Sequence, residues 1–266
     1  MINVPVQFQP IINTIYPPNN EIEFERWFFK NYTGDETGRE YLPIFWCGYQ
    51  VNHNYGNDVL AMNDLQQYVD SLSTNKKYFT VNQYDDGVGI YWKGKDVLEF
   101  NMSKVGLNTY PIPLLGQQHP YKFSGEKKYI ANFVGSLTHP IREHAKSLIG
   151  NEDYYISFDR HEPYEYCKII SESVYTLCYR GYGLNSFRIA EAIQYNSIPV
   201  YISDEFINPY NIDFNEYGLT VKDNEVKYLE EMLLMTLAIR PYDETIKNLY
   251  TYEGCRNKIL EHLKTI

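Results

Sequence analysis

No stretch of this sequence approaches the roughly 18 to 20 uninterrupted apolar residues that a membrane-spanning helix needs. The opening residues, MINVPVQFQPIINTIYPPNN, have neither the basic start nor the apolar run of a signal peptide. A soluble, cytosolic protein with no membrane span is therefore expected. Positive charge is scarce as well: 24 Lys and Arg stand against 34 Asp and Glu, for a formal net charge of −10. That balance argues against a nucleic-acid partner, which demands a basic face to displace counterions from phosphates. A small phosphate-bearing ligand needs only a few local cations. The cysteines number four, Cys47, Cys167, Cys178 and Cys255, and lie too far apart for zinc spacing. Buried, reduced thiols are expected of them, in keeping with the cytosol.

What remains is ordinary globular material. The 266 residues can form one large domain or two small ones. With 44% hydrophobic and 22% charged residues, neither a disordered nor a fibrous chain is indicated. The 27 tyrosines are unusual. A tyrosine offers a flat apolar face with a polar tip and suits sugar or base stacking, although biased codon usage would give the same count.

From about residue 125 onward, short apolar runs alternate with amphipathic stretches, the pattern of repeated βα units on a parallel sheet. Strands are predicted at 129–136, 154–159, 174–179, 198–203 and 217–221. Helices are predicted from Pro140 to Ile149, with Ile141, Ala145, Leu148 and Ile149 on one face, and over about 162–173, 186–195, 224–238 and 242–264. The first 120 residues suggest helices near 21–31 and 58–72 and strands at 42–46 and 77–81, followed by extended segments. The turn-rich stretch 109–128 reads as a connection between lobes, because its prolines and glycines punctuate and its periodicity vanishes. The organisation predicted is an N-terminal lobe over 1–120, a C-terminal lobe over 121–245, and a C-terminal helix over 246–266 that could pack back on the first lobe.

The strongest local signal runs from Val174 to Asp204, VYTLCYRGYGLNSFRIAEAIQYNSIPVYISD. Gly181 and Gly183 would let the backbone turn tightly, and Asn185 or Ser186 can cap a helix whose free N–H groups and positive dipole end favour an anion. Arg188, in the first turn, can add a bidentate charge. Glu191 lies one turn further on the same face and could accept hydrogen bonds from ribose hydroxyls. The same spacing also suits a plain intrahelical ion pair between Arg188 and Glu191.

The order of these residues resembles the exostosin-type glycosyltransferases: a hydrophobic strand, then Cys178, Arg180, Gly181 and Gly183, then Ser186, Arg188, Glu191 and Ala192, then Ile198, Pro199 and Val200. A second block upstream is similar, with Phe133, Gly135 and Ser136 ending a strand and Ile141 and Arg142 opening a helix. The two blocks span roughly residues 129–221; the N-terminal half matches only loosely. The resemblance implies an α/β fold of two Rossmann-like lobes, the GT-B type, with the active site in the cleft between them. It implies an inverting transfer from a nucleoside diphosphate sugar to a glycan, with no obligatory metal or other cofactor. A uridine donor is favoured, with xylose, galactose or glucuronate as its sugar. Arg188 would neutralise the diphosphate, Glu191 would hold the ribose, and Gly135, Ser136 and Arg142 would face the phosphates. Arg142 could instead be a solvated first-turn residue, and Arg180 could cap a carbonyl. Asp204, after the next strand, could bind sugar hydroxyls or simply open a loop.

Inversion needs a base on the face opposite the leaving group, and the N-terminal lobe is expected to supply it. Asp85, where a strand ends and a loop opens, is the first candidate and Asp86 the second, though DDG is also a common turn. His53 and His119 are further acceptor-side candidates. Asp85 and Asp86 are adjacent rather than separated by one residue, so they do not form an Asp-x-Asp metal motif. A glycoside hydrolase would need a second ordered carboxylate near a recognisable site, and a sugar epimerase would show GxGxxG and Tyr-x-x-x-Lys, both absent here. The lack of an anchor suggests a microbial or viral enzyme, with a catalytically inert, exostosin-like glycan-binding protein as the alternative.

Overall fold

The computed structural model describes residues 2–14, 24–34, 38–103, 106–236 and 243–266. The chain divides into two compact units, Met1–Gln117 with Tyr252–Ile266, and Gln118–Thr251. Each is an α/β lobe on a wholly parallel sheet.

The first unit opens with α1 (Phe24–Asn31), β1 (Glu40–Tyr41), α2 (Trp46–Asn52) and α3 (Val59–Ser71), followed by β2 (Lys77–Asn82), β3 (Asp96–Asn101) and β4 (Thr109–Pro111). The strands pair in chain order, β1-β2-β3-β4. Of the predicted helix near 21–31, positions 21–23 lie outside the described residues. Asp58 starts α3 by accepting from the N–H groups of Leu60 and Ala61, which satisfies two of the helix's orphan donors. The predicted strand at 42–46 is not formed. Pairing with β2 ends at Leu42, whose N–H reaches Phe79 O at 2.8 Å, because Pro43 has no N–H for the ladder. Leu42, Ile44, Phe45 and Trp46 are buried all the same, as the corner from which α2 starts. Gly48 lets the Phe45 ring lie against α2, since a Cβ there would stand 2.1 Å from the ring. The stretch 109–128 also differs from the prediction at its start, where Thr109–Pro111 pairs with β3 as a strand.

In the second unit come β5 (Tyr129–Val134), a 3-10 helix (Pro140–Leu148), β6 (Tyr154–Ser157), α4 (Pro163–Ser171), β7 (Ser173–Tyr179), α5 (Phe187–Gln194), β8 (Ile198–Ile202) and β9 (Leu219–Val221). Then follow α6 (Leu229–Met235) and α7 (Glu244–Leu249), while α8 (Tyr252–Thr265) returns to the first unit. There α8 places Tyr252 5.6 Å from the Phe24 ring and stacks His262 on Tyr110 at 3.8 Å. Positions 237–242, which include the end of the helix predicted over 224–238 and the start of that predicted over 242–264, lie outside the described residues. The second sheet runs β6-β5-β7-β8-β9, a doubly wound order in which the chain leaves β5 for one side and returns on the other. Its core is Phe133, Ala145, Tyr175, Leu177, Val200, Ile202 and their neighbours.

The segment Pro140–Leu148 corrects the predicted helix face. It has three residues per turn, so Arg142, Ala145 and Leu148, spaced by three, point inward, and Ile149 is left 58% exposed. That change of period turns Arg142 from a surface residue into a buried one.

Candidate anion-binding site

In an open parallel sheet, ligands bind outside the carboxyl ends of the strands, at the point where the strand order reverses. Here that point lies between β5 and β7, the strands ending at Val134 and Tyr179. Strand ends leave carbonyl groups without ladder partners, and two arginines cover these. Arg142 donates from Nε to Arg180 O at 2.9 Å, from Nη1 to Ser136 O at 2.8 Å and from Nη2 to Tyr179 O at 3.3 Å. Arg188 reaches back from the first turn of α5 and donates to Val134 O from Nε at 2.9 Å and Nη2 at 2.5 Å. Both guanidinium groups face the buried ring of Phe133, at 5.9 and 5.1 Å from its centroid.

The solvated reading of Arg142 is thus overturned, since the residue is 5% exposed. Burial, and next the Arg188 charge beside it, push its guanidinium down to about 10, still cationic at neutral pH. The intrahelical pairing of Arg188 with Glu191 does not occur either. Glu191 accepts instead from the Tyr166 hydroxyl of α4, at 2.5 Å. Burial, reinforced by Glu191, raises the Tyr166 hydroxyl well above its ordinary range, so it acts as a donor. Among the described residues, no carboxylate forms an ion pair with Arg142 or Arg188. Two neighbouring cations without a counter-ion make an electropositive site.

The glycines serve this arrangement differently from the prediction. A Cβ on Gly135 would stand 2.0 Å from Arg188 Nη2, so only glycine lets the guanidinium lie across that turn. A Cβ on Gly181 would meet Arg142 Nη2 at 3.3 Å. Neither Gly181 nor Gly183 takes a left-handed backbone, so the tight turn predicted for them is not what selects them. The chain makes room for arginines here.

Ser186 stands at the start of α5 but makes no side-chain cap; its buried Oγ has no partner among the described residues, and neither does Arg180 Nε. Asn185 Oδ1 accepts from Ser186 N at 2.8 Å instead of capping the helix. The first-turn N–H groups of Phe187 and Arg188 have no intrahelical acceptor. Unmet donors of this kind, beside the arginines, suit an anion. Cys178 lies fully buried in β7, donates to Thr176 O, and has its thiol raised far above the ordinary value by burial; it is a packing residue. Asp204 is exposed and accepts from Asp223 N at 3.0 Å, closing the loops after β8 and β9.

The remaining candidates are scattered. Asp85 and Asp86 lie in a turn just past the carboxyl end of β2, Asp85 partly buried and Asp86 exposed. That turn is well anchored: Gln50 Nε2 donates to Gly87 O at 2.8 Å, and buried Glu25 accepts from Gln83 N at 2.6 Å. His53 closes α2, with Nδ1 2.7 Å from Tyr49 O and its ring on Tyr49. His119 belongs to the second unit, not to the first as an acceptor-side residue would. Its carbonyl accepts from Tyr195 OH, and its ring stacks on Tyr121. Sequence reasoning missed Phe133 as the platform under both arginines and Tyr166 as the partner of Glu191. Neither stands at a spacing that marks it, because each meets its partner across the sheet or between helices.

Among solved structures, the chain is similar to a GtfA/B complex, at 11% identity and a TM-score of 0.40 over 75% of this chain and 55% of that one. It is also similar to TarM, at 9% identity and a TM-score of 0.37 over 76% and 49%. Among curated proteins, an Exostosin-1 homolog of Caenorhabditis elegans is 24% identical over 180 residues, 52% of this chain and 47% of the relative, so the chain spans about half the length of that protein. No helix of the described residues is long and apolar enough to cross a membrane. The exostosin GT47 domain profile matches residues 78–235, which takes in β2 from its second residue, the Asp85 turn and every residue of the arginine site, and the chain therefore belongs to the exostosin GT47 glycosyltransferase family.

Proposed function

We propose that this protein transfers a sugar from a nucleoside diphosphate sugar to a glycan, with inversion and without an obligatory metal. The observation that carries the reading is the convergence of Arg142, Arg188, the unpartnered Ser186 hydroxyl and the N-terminus of α5 at one strand-order reversal. Arg188 exchanges its bond to Val134 O for the β-phosphate, Arg142 holds the Gly135-Ser136 turn beneath it, and Glu191 accepts from the ribose. Uridine diphosphate carrying xylose, galactose or glucuronate is the favoured donor.

The acceptor hydroxyl attacks the anomeric carbon opposite the leaving group and loses its proton to a base, for which we assign Asp85. As the new bond forms, the bond to the β-phosphate oxygen breaks and its electron pair goes to the diphosphate. The charge developing there meets arginines and helix N–H groups, which supply the electrostatic stabilisation a divalent ion gives elsewhere. The assignment of Asp85 draws on its place past a parallel-strand end and on its anchored turn. Asp85→Asn is expected to abolish sugar transfer, by a hundredfold or more, while leaving donor affinity unchanged in a calorimetric titration; near-normal turnover would move the base elsewhere. The four cysteines are unbridged thiols, which supports a cytosolic home.

A thermal titration with UDP, GDP and their sugars tests the donor class, because a ligand that binds only the folded state raises Tm by mass action. Stabilisation by a uridine nucleotide is expected, and so is activity that survives excess EDTA. If EDTA abolished transfer and manganese restored it, the metal-free mechanism would be wrong. If no nucleotide stabilised the protein, the inert glycan-binding alternative would replace the enzyme.

A further inference from the structure

The loop between β2 and β3 carries Asp85 at its start and continues as a second structure. Val88, Ile90 and Trp92 alternate inward onto the core of the first unit, and Trp92 Nε1 donates to the buried Glu99 carboxylate at 2.6 Å. Tyr91, between two of these anchors, is left 77% exposed. Its backbone is nevertheless fixed on both sides. Tyr91 N donates to Gln66 Oε1 and Gln66 Nε2 donates to Tyr91 O, both at 2.8 Å, so one side chain of α3 serves both main-chain groups as a neighbouring strand would. Just beyond, Lys93 pairs with Asp70 at 2.6 Å and Lys95 donates to Asp70 O at 3.1 Å. A large ring is thus held out into water on a rigid support.

A single exposed tyrosine is ordinary on a protein surface. This one ends a row. Val59, Asn63, Gln66 and Asp70 fall on one stripe of α3, opposite the buried Ala61, Leu65 and Val69, and Val59 and Leu60 are both exposed at the start of the helix. Directly before α3, Tyr55 is 54% exposed on a backbone where Asn54 and Tyr55 both take left-handed φ values, 53° and 55°. Strain of this kind in residues other than glycine collects at functional sites. The Tyr84 hydroxyl donates to Tyr55 O at 3.1 Å, which ties this turn to the residue preceding Asp85. The row therefore begins beside the Asp85 turn and reaches Tyr91 over Gln66, about 10 Å along the helix axis from Val59.

We propose that this row, from Tyr55 to Tyr91, binds the distal sugars of a neutral glycan acceptor, with Tyr91 as the stacking platform. The proposal rests on the reading of Asp85 as the base and of a glycan as the acceptor. The apolar face of a sugar ring lies flat on an aromatic ring whose polar tip stays in water, and a platform already fixed by its neighbours loses little entropy on binding. Continuity with the Asp85 turn favours the growing chain itself over an unrelated partner. Charge selects the kind of chain. Asp58 and Asp86 border the row, and Lys93 is already paired with Asp70, so an anionic glycan would meet repulsion there.

An array of oligosaccharides graded from two to six sugars, in neutral and uronate-bearing series, tests this with the full chain as wild type, Tyr91→Ala and Tyr91→Phe. The wild type is expected to bind the longer members of one neutral series about tenfold more tightly than its disaccharide, the size of a good aromatic contact. Tyr91→Ala should erase that gain and leave the disaccharide unchanged, whereas Tyr91→Phe, which keeps the ring, should retain it. The side chain is exposed, so melting curves of both variants should match the wild type. A Tyr91→Ala protein that keeps the full gain with length would overturn the inference, and so would equal weakening at every length, which marks a merely structural role. A wild type that prefers uronate-bearing chains also overturns it. One that binds short and long glycans alike sinks this inference alone. One that binds none of them sinks the glycan-acceptor reading beneath it.

Discussion

Arg188→Ala is expected to lower sugar transfer at least a hundredfold and to remove the stabilisation that nucleotides confer. Loss of one preorganised donor to a developing oxyanion costs about 2.7 to 4 kcal/mol of transition-state stabilisation, and Arg188 is the cation whose fork lies nearest the Gly135 turn. The fold should tolerate the change. Arg188 is half-buried and its side chain hydrogen-bonds a single carbonyl, that of Val134, beside its contact with the Phe133 ring, so the stability cost is about 1 to 2 kcal/mol. Arg188→Lys restores the charge without the two-pronged geometry and should recover only part of the rate. Steady-state kinetics beside a melting curve separates the effects. Near-normal turnover in Arg188→Ala would remove the diphosphate site from this position.

Arg142→Ala should behave in the opposite way, as a folding defect before a catalytic one. Three backbone carbonyls, from Ser136, Tyr179 and Arg180, share this one buried guanidinium. Its removal leaves them facing a cavity over Phe133 and takes away the tie between the ends of β5 and β7. The loss is about 3 kcal/mol for a set of charge-assisted bonds of this kind, or a fall in Tm of roughly 10 °C for a unit this size. A melting temperature within a degree or two of the wild type, with activity lost, would show that Arg142 touches the ligand directly instead of shaping the turn. The two variants together assign one arginine to the ligand and the other to the scaffold.

The second lobe was legible because a parallel sheet buried on both faces writes itself as apolar runs. Ser173–Tyr179 is buried at every position and Ile198–Ile202 at all but the first, and the sequence shows both as mainly hydrophobic stretches, broken only by Ser173, Thr176 and Pro199. The first lobe was harder to read. Its β1 is two residues long, and the apolar run beside it, Leu42 to Trp46, is buried as a corner instead of a strand. Apolar content reports burial and cannot by itself tell a strand from a bend packed under one; Pro43 was the local sign of the difference. The face of Pro140–Leu148 was misjudged for a related reason, since a period of 3.0 and one of 3.6 diverge by only half a residue per turn over so short a segment.

The sequence alone determined which residues stand at the carboxyl ends of β5 and β7 and at the start of α5, because their order along the chain follows from local propensity and spacing. It also determined the family, through that same order. Only the tertiary structure decided what the side chains do there. Whether Arg188 pairs with Glu191 along its own helix or crosses to Val134 depends on how closely β5 approaches α5, and Gly135 makes that approach possible. Whether Arg142 is solvated or buried depends on a helix period set by packing against the sheet. Contacts between elements distant in sequence are settled by the geometry of packing, which no local pattern encodes.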